Sequence, residues 1–255
     1  MRVGCFWPTL CCLLILCPQA RGQDKAAIVN KARGRYYSLA AHEVKEFRCE
    51  VSPDWKRFLT STRKNVVPDN DPELKKLNLL RFDLQMTLTD EARVTPSTLG
   101  ALSLDDNLMQ LIAGVKQTVQ GFFETWRGFM ITNPFDGSDV ESLEEGPDSY
   151  RISTKAPGLE AKTVMTRDFT ITEVLANYGE SKVRVAPRFT GTREGLLLET
   201  VNNEIDGGKT RLVETIEYSE VDGLMLPGKV HIDATQPGGH FVIDVAFTNY
   251  VVRRK

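Results

Sequence analysis

The stretch Arg211-Leu212-Val213-Glu214-Thr215-Ile216-Glu217-Tyr218-Ser219-Glu220-Val221-Asp222-Gly223-Leu224-Met225-Leu226-Pro227 decides the fold. Leu212 and Ile216 alternate with Arg211, Thr215 and Glu217, so one face of this segment is dry and the other wet. Asp222-Gly223 is a two-residue hairpin turn, since Asp and Gly tolerate the positive φ such turns demand. The segment therefore predicts two antiparallel strands, 209–218 and 224–235.

Working outward, the same grammar repeats. Toward the C-terminus, Pro237-Gly238-Gly239 makes the next turn, and Phe241, Ile243, Val245 and Phe247 alternate with His240, Asp244 and Thr248 over 240–252. Toward the N-terminus, Asp206-Gly207-Gly208, Tyr178-Gly179 and Pro157-Gly158 separate strands predicted at 195–205, 182–190, 169–176, 162–167 and 150–155. Short turns at this spacing imply consecutive antiparallel hairpins. A sheet of so many strands tends to curl and needs a cover for its dry face.

That cover is legible upstream. Leu104, Leu108, Leu111, Ile112, Val115, Val119, Phe122, Phe123, Trp126 and Met130 recur at intervals of one, three or four, which is one helical face. Ser103-Leu104-Asp105-Asp106 reads as its N-terminal cap and Asn133-Pro134 as its stop. About 28 helical residues span roughly 42 Å, enough to cross a sheet. The first part of the chain reads as a helix over 24–40, a strand at 44–51, a short helix opened by Pro53-Asp54-Trp55, a turn or two of helix at 72–77 and a strand at 79–89. The fold class expected is α+β: a strongly curved antiparallel sheet, an incomplete β-barrel, covered by helices that include one long amphipathic helix.

Arg2 followed by the apolar run Cys5 to Cys17, with Ala20-Arg21-Gly22 as a small-x-small cleavage pattern, reads as a signal peptide over residues 1–22. The run is short for a membrane span, which needs about 18 apolar residues. Residues 23–255 are then expected to form a single domain in the periplasm or outside the cell. Cleavage removes Cys5, Cys11, Cys12 and Cys17, so Cys49 cannot form an intramolecular disulfide; its alternation with Phe47 and Val51 places it inward as a structural residue.

Composition and motifs narrow the function classes. With 32 basic against 34 acidic residues the chain lacks the basic excess of a nucleic-acid binder. Three histidines and no cysteine cluster argue against zinc. Gly208-Lys209-Thr210 ends like a phosphate-binding loop, but Asn203 stands where the loop needs its first glycine and a strand follows. Ser61-Thr62-Arg63-Lys64 has the serine–lysine spacing of penicillin-binding enzymes without their partner motifs. Glu144-Glu145 reads as a solvated loop. His231 and His240, paired across the turn so that His240 faces Gln236, lie roughly 15 Å apart, too far for one metal.

The segment Ile216 to Pro227, the closing run Phe247-Thr248-Asn249-Tyr250-Val251-Val252, the export signal and the early Tyr36-Tyr37-Ser38-Leu39 together resemble the LolA/LolB-like lipoprotein-carrier superfamily. That resemblance implies an incomplete barrel wrapped over helices, an apolar cavity for acyl chains, and a strand arginine that closes a lid. Arg48 and Arg81 stand at candidate positions. The helix at 103–131 is longer than the lid helices of simple carriers.

The expected function is an exported, non-enzymatic carrier or binding protein without a cofactor. It would shelter lipid or lipoprotein acyl chains between sheet and helices and touch the membrane surface transiently. Leu108, Ile112, Val115, Val119, Phe122, Phe123 and Trp126 from the helix are expected to line the ligand, facing Phe241, Ile243, Val245 and Phe247 from the last strand. The alternative is a periplasmic structural or interaction protein of the same fold with a filled core.

Overall fold

The computed structural model describes residues 20–97, 105–131, 135, 139–156 and 158–255. The elements run α1 (Ala20–Arg33), β1 (Val44–Pro53), α2 (Trp55–Arg63), α3 (Pro72–Leu77), β2 (Phe82–Thr87), β3 (Arg93–Pro96), α4 (Asp106–Met130), β4 (Asp139–Glu145), β5 (Ser149–Ala156), β6 (Leu159–Thr166), β7 (Ile171–Tyr178), β8 (Ser181–Thr192), β9 (Gly195–Ile205), β10 (Thr210–Val221), β11 (Leu224–Gln236) and β12 (Gly239–Arg254). The expected signal segment lies outside the described residues except for its last three, which open α1.

All twelve strands join one antiparallel sheet in the order β3-β2-β1-β12-β11-β10-β9-β8-β7-β6-β5-β4. From β4 to β12 each strand pairs with its neighbour in sequence, as the hairpin turns require. The turns deliver their chemistry: Asp222 and Gly223 sit at φ 51 and 76, both positive, as a tight turn between right-twisted strands demands. The chain closes the other half by laying β1 between β2 and β12, with Val51 opposite both Phe82 and Phe247.

The sheet is open. Its edges are β3 and β4, and it is neither closed nor strongly curled, which corrects the expected incomplete barrel. Large open sheets persist where helices bury their apolar face, and here α4 lies on that face. The β10–β11 and β11–β12 hairpins fall within three residues of the expected limits. The β11–β12 register is shifted by one from expectation, with His240 opposite Thr235 rather than Gln236.

Other boundaries differ, among them the strand expected at 79–89, which is β2 over Phe82–Thr87. The first helix ends at Arg33 and not near residue 40, because Gly34 follows and Tyr36 instead forms a parallel bridge with Leu196. Gly195, at φ 131, permits this approach: a Cβ there would lie 2.6 Å from the Tyr37 nitrogen. Phe169 sits in a turn at φ 67 rather than starting a strand. Glu144-Glu145 belongs to edge strand β4 and not to a loop; charge along an edge discourages pairing with another chain. On α4, Asp105 is the N-cap, its side chain accepting from the Leu108 N–H at 2.9 Å; Ser103-Leu104 and Asn133-Pro134 lie outside the described residues.

The core lies between α4 and strands β1, β2, β9, β11 and β12. Phe123 meets Phe247 at 5.1 Å and Trp126 at 5.8 Å between ring centroids, and Phe47 packs on both Phe123 and Trp126. Trp126 donates its indole N–H to Tyr218 Oη at 3.1 Å, and Tyr218 donates to the Leu198 carbonyl at 2.8 Å, so the buried polar tips are paired. The C-terminal end of α4 is pinned by the Leu39 N–H, which donates to the Met130 carbonyl. Cys49 is buried in this layer, and burial pushes its thiol up to about 12.

Candidate functional site

Twelve strands spaced about 4.8 Å apart make a sheet roughly 50 Å wide. A single helix, about 10 Å across and 25 residues long, cannot cover it. Phe122, Phe123 and Trp126 of α4 pack on Phe47 of β1 or Phe247 of β12, and a gap remains on the other flank. A cleft of about 620 Å³ lies between α4 and strands β5 to β10. Its apolar wall comes from Phe122, Phe129, Phe135, Ile171, Val174 and Val185. A second recess of about 550 Å³ adjoins it and shares Gln117, Thr118 and Leu212; Phe58, Leu111, Val115 and Phe241 line it near the β11–β12 turn.

Between these apolar side chains, the helix face toward the two spaces carries glycines and small polar residues. Gly114 borders the second recess, Gly121 and Gly128 the first, and a Cβ at any of the three would meet no atom within 4 Å. Glycine inside a helix costs about 0.5–1 kcal/mol relative to alanine. Three at seven-residue intervals leave a strip of bare backbone along the opening. The sheet floor matches it with Thr154, Ala161, Thr163 and Ala176.

The floor also carries an unusual pair. Glu214 on β10 and Asn203 on β9 are 2% and 9% exposed. Asn203 Nδ2 donates to Glu214 Oε2 at 3.2 Å, while Asn203 Oδ1 is buried without a hydrogen-bond partner among the described residues. Burial pushes the Glu214 carboxyl up to about 7, and the hydrogen bond from Asn203 only partly opposes it. Glu124, on the helix side of the cleft, is tied elsewhere: it accepts from the Ala92 N–H at 2.7 Å and pairs with Arg127.

Of the residues expected to line a ligand, Phe122 reaches the first cleft, and Val115 and Phe241 reach the second. Leu108, Ile112, Val119, Phe123, Trp126, Ile243, Val245 and Phe247 are buried in the packed core and border neither space. Sequence reading missed Glu214, Asn203 and the glycine strip. The seven-residue glycine spacing and the Glu214 carboxylate on the Leu212–Ile216 face were the available signals. Arg48 is exposed, and Arg81 donates to the Asn78 and Leu80 carbonyls and pairs with Glu50; neither borders the cleft.

The motifs weighed for catalysis serve structure. Gly208 sits at the β9–β10 turn, with strand following. Ser61 Oγ accepts from the Val242 N–H at 2.9 Å and so fastens α2 to β12. His231 lies 2.6 Å from Asp244, and His240, which borders the second recess, lies 2.8 Å from Asp233.

Sheet, overlying helix and cleft define a helix-covered open β-sheet protein with an internal apolar recess. Among solved structures, the crystal structure of LolA superfamily protein NE2245 from Nitrosomonas europaea is similar in fold: 13% identity, 90% of this chain and 94% of that chain covered, TM-score 0.38. No family model and no curated protein sequence matches the chain. Among the described residues, no helix is long and apolar enough to cross a membrane.

Proposed function

We propose that this chain is an exported, non-enzymatic carrier or binding protein that shelters an apolar ligand, lipid or lipoprotein acyl chains, in the cleft between α4 and β5 to β10. The observation that carries this reading is the cleft of about 620 Å³ with Phe122, Phe129, Ile171 and Val185 on its walls. Its size is that of a small-molecule site. Each methylene withdrawn from water contributes about 0.8 kcal/mol, so a dozen would give roughly 10 kcal/mol before ordering costs. Binding by burial alone is reversible and needs no catalytic group. Cargo exchange would bring the mouth of the cleft to a membrane surface for the duration of the transfer, and the N-terminal segment would direct the chain to the periplasm or the exterior.

The test is solvent extraction of the purified protein followed by lipid analysis, together with uptake of a fluorescent fatty acid. Co-purifying lipid and saturable uptake are expected. Neither appearing would end the carrier reading.

A second reading has one observation behind it. The Phe47, Phe123, Trp126 and Phe247 cluster is densely packed, as in a protein whose sheet and helix serve only as an interaction scaffold. That scaffold would bind no apolar probe.

A further inference from the structure

The cleft has acceptors and no cation to satisfy them. Among its described lining residues there is no Lys, Arg or His, and the two carboxylates are Glu124 and Glu214. Glu124 is occupied by Arg127 and the Ala92 N–H. Glu214 has Asn203 as its hydrogen-bond partner, and Asn203 Oδ1 has none among the described residues. Buried polar atoms without partners are rare, because each forfeits its hydration, and they call for an explanation. Two adjacent acceptors at the floor of an apolar cleft are matched by a group that donates several hydrogen bonds and carries positive charge.

We propose that Glu214 and Asn203 form a subsite for the primary ammonium group of an amphiphile whose hydrocarbon lies along the Gly121–Gly128 strip of α4. This rests on the carrier reading above. The ammonium would donate to Asn203 Oδ1 and to the Glu214 carboxylate, and the charge-assisted bonds would offset the desolvation of both ions. The cleft lining adds no cation beside Glu214: its donors are the Gln117 amide and threonine hydroxyls, while Lys64 and His240 line the adjoining recess. The neighbours of Glu214 across the ladder are Val201 on β9 and Ile232 on β11. The facing helix presents Thr118 and Phe122, and the phenol of Tyr178 stands in the exposed part of the cleft lining. Since burial holds the carboxyl near 7, the subsite is charged and competent above that pH and neutral below it.

The experiment is competition for pyrene, a neutral apolar probe, by dodecylamine, dodecanol and dodecanoate on the purified protein at about pH 8, each below its micelle concentration. Dodecylamine is expected to displace pyrene at roughly tenfold lower concentration than the other two. Glu214→Gln should remove that advantage. Equal potency of the three competitors, or an advantage that survives Glu214→Gln, overturns the subsite while the carrier reading stands. Absence of pyrene binding by the unaltered protein overturns both. Should Glu214→Gln fail to fold, the unaltered protein carries the test by NMR. The Glu214 carboxyl carbon should titrate at least a unit lower with dodecylamine bound and should not shift downward with dodecanol; an unmoved titration under dodecylamine overturns the proposal.

Discussion

Asn203 Nδ2 donates to Glu214 Oε2 at 3.2 Å between adjacent strands, the one hydrogen bond among the described residues to a carboxyl that is 2% exposed. Its pKa lies near 7 in the folded chain because burial disfavours the charged form, against 4.5 for the free side chain. The folded state therefore holds a proton that the unfolded state has released across that interval. Stability from this group is complete below about pH 4.5, falls as pH rises to about 7 and is flat above. The interval corresponds to about 3 kcal/mol. Urea melts of the wild type and Glu214→Gln at a series of pH values should show the wild type losing stability relative to the variant over this window. Parallel curves would mean that the carboxyl is hydrated in solution.

Gly121 borders the cleft with open space beside its Cα, whereas Val119, two residues earlier, is 1% exposed in the core. Filling substitutions at the two positions should act oppositely. Val119→Trp overpacks and should lower stability by about 1–3 kcal/mol. Gly121→Leu removes a helix-interior glycine and should be neutral or stabilising by up to about 1 kcal/mol, while reducing uptake of an apolar probe at least several-fold by occupying its space. Thermal melts and probe titrations on the pair make the comparison. Strong destabilisation by Gly121→Leu would show that the space closes in solution.

That contrast explains what the sequence could and could not disclose. Hairpins were legible because Asp222-Gly223 and Asp206-Gly207-Gly208 carry turn chemistry independent of anything distant, and alternation such as Phe241 to Phe247 fixes which face is dry. The helix was legible for the same reason. Its stripe shows which residues leave water, not whether the opposing strands fill the gap. Phe123 and Trp126 find Phe47 and Phe247 and close up. Gly121 and Thr125 face Thr154, Ala161 and Thr163, which are too small to meet them. The cleft arises from small residues on elements far apart in the chain, and no local pattern marks it. Strand β4 was missed because Asp139 to Glu145 is acidic on both faces, as suits an edge. The sheet's curvature, too, is set by contacts between distant elements and carries no local signature.

Tyr218 Oη sits between Trp126 Nε1 at 3.1 Å and the Leu198 carbonyl at 2.8 Å, linking α4 to β9 and β10 in one chain of hydrogen bonds. Tyr218→Phe keeps the ring and strands both partners, so a loss of about 1–3 kcal/mol is expected. Denaturant melts followed by tryptophan fluorescence would record both the destabilisation and the altered indole environment. An unchanged midpoint would show that water replaces the hydroxyl.

On the outer face, Asp244 gathers two cations and an imidazole: Arg57 at 2.7 Å, Lys229 at 3.1 Å and His231 at 2.6 Å. Desolvation works to raise its pKa, but hydrogen bonds from His231 and Lys229 and the nearby Arg57 charge outweigh it, and the carboxyl is held below its ordinary value. For an acid whose folded pKa is depressed, the stabilisation is present above the unfolded value and is lost as pH falls through the folded one. Asp244→Asn should therefore cost about 1–3 kcal/mol at neutral pH, and the gap between variant and wild type should close below about pH 4. Because Arg57 lies on α2, the same substitution should loosen α2 from β12 first, leaving Ser61 and the Phe58–Phe241 contact at 5.6 Å to hold it. Hydrogen exchange of the α2 amides is the local readout. Faster exchange confined to α2 would tie Asp244 to that docking, whereas uniform acceleration across the sheet would show that it supports the whole fold.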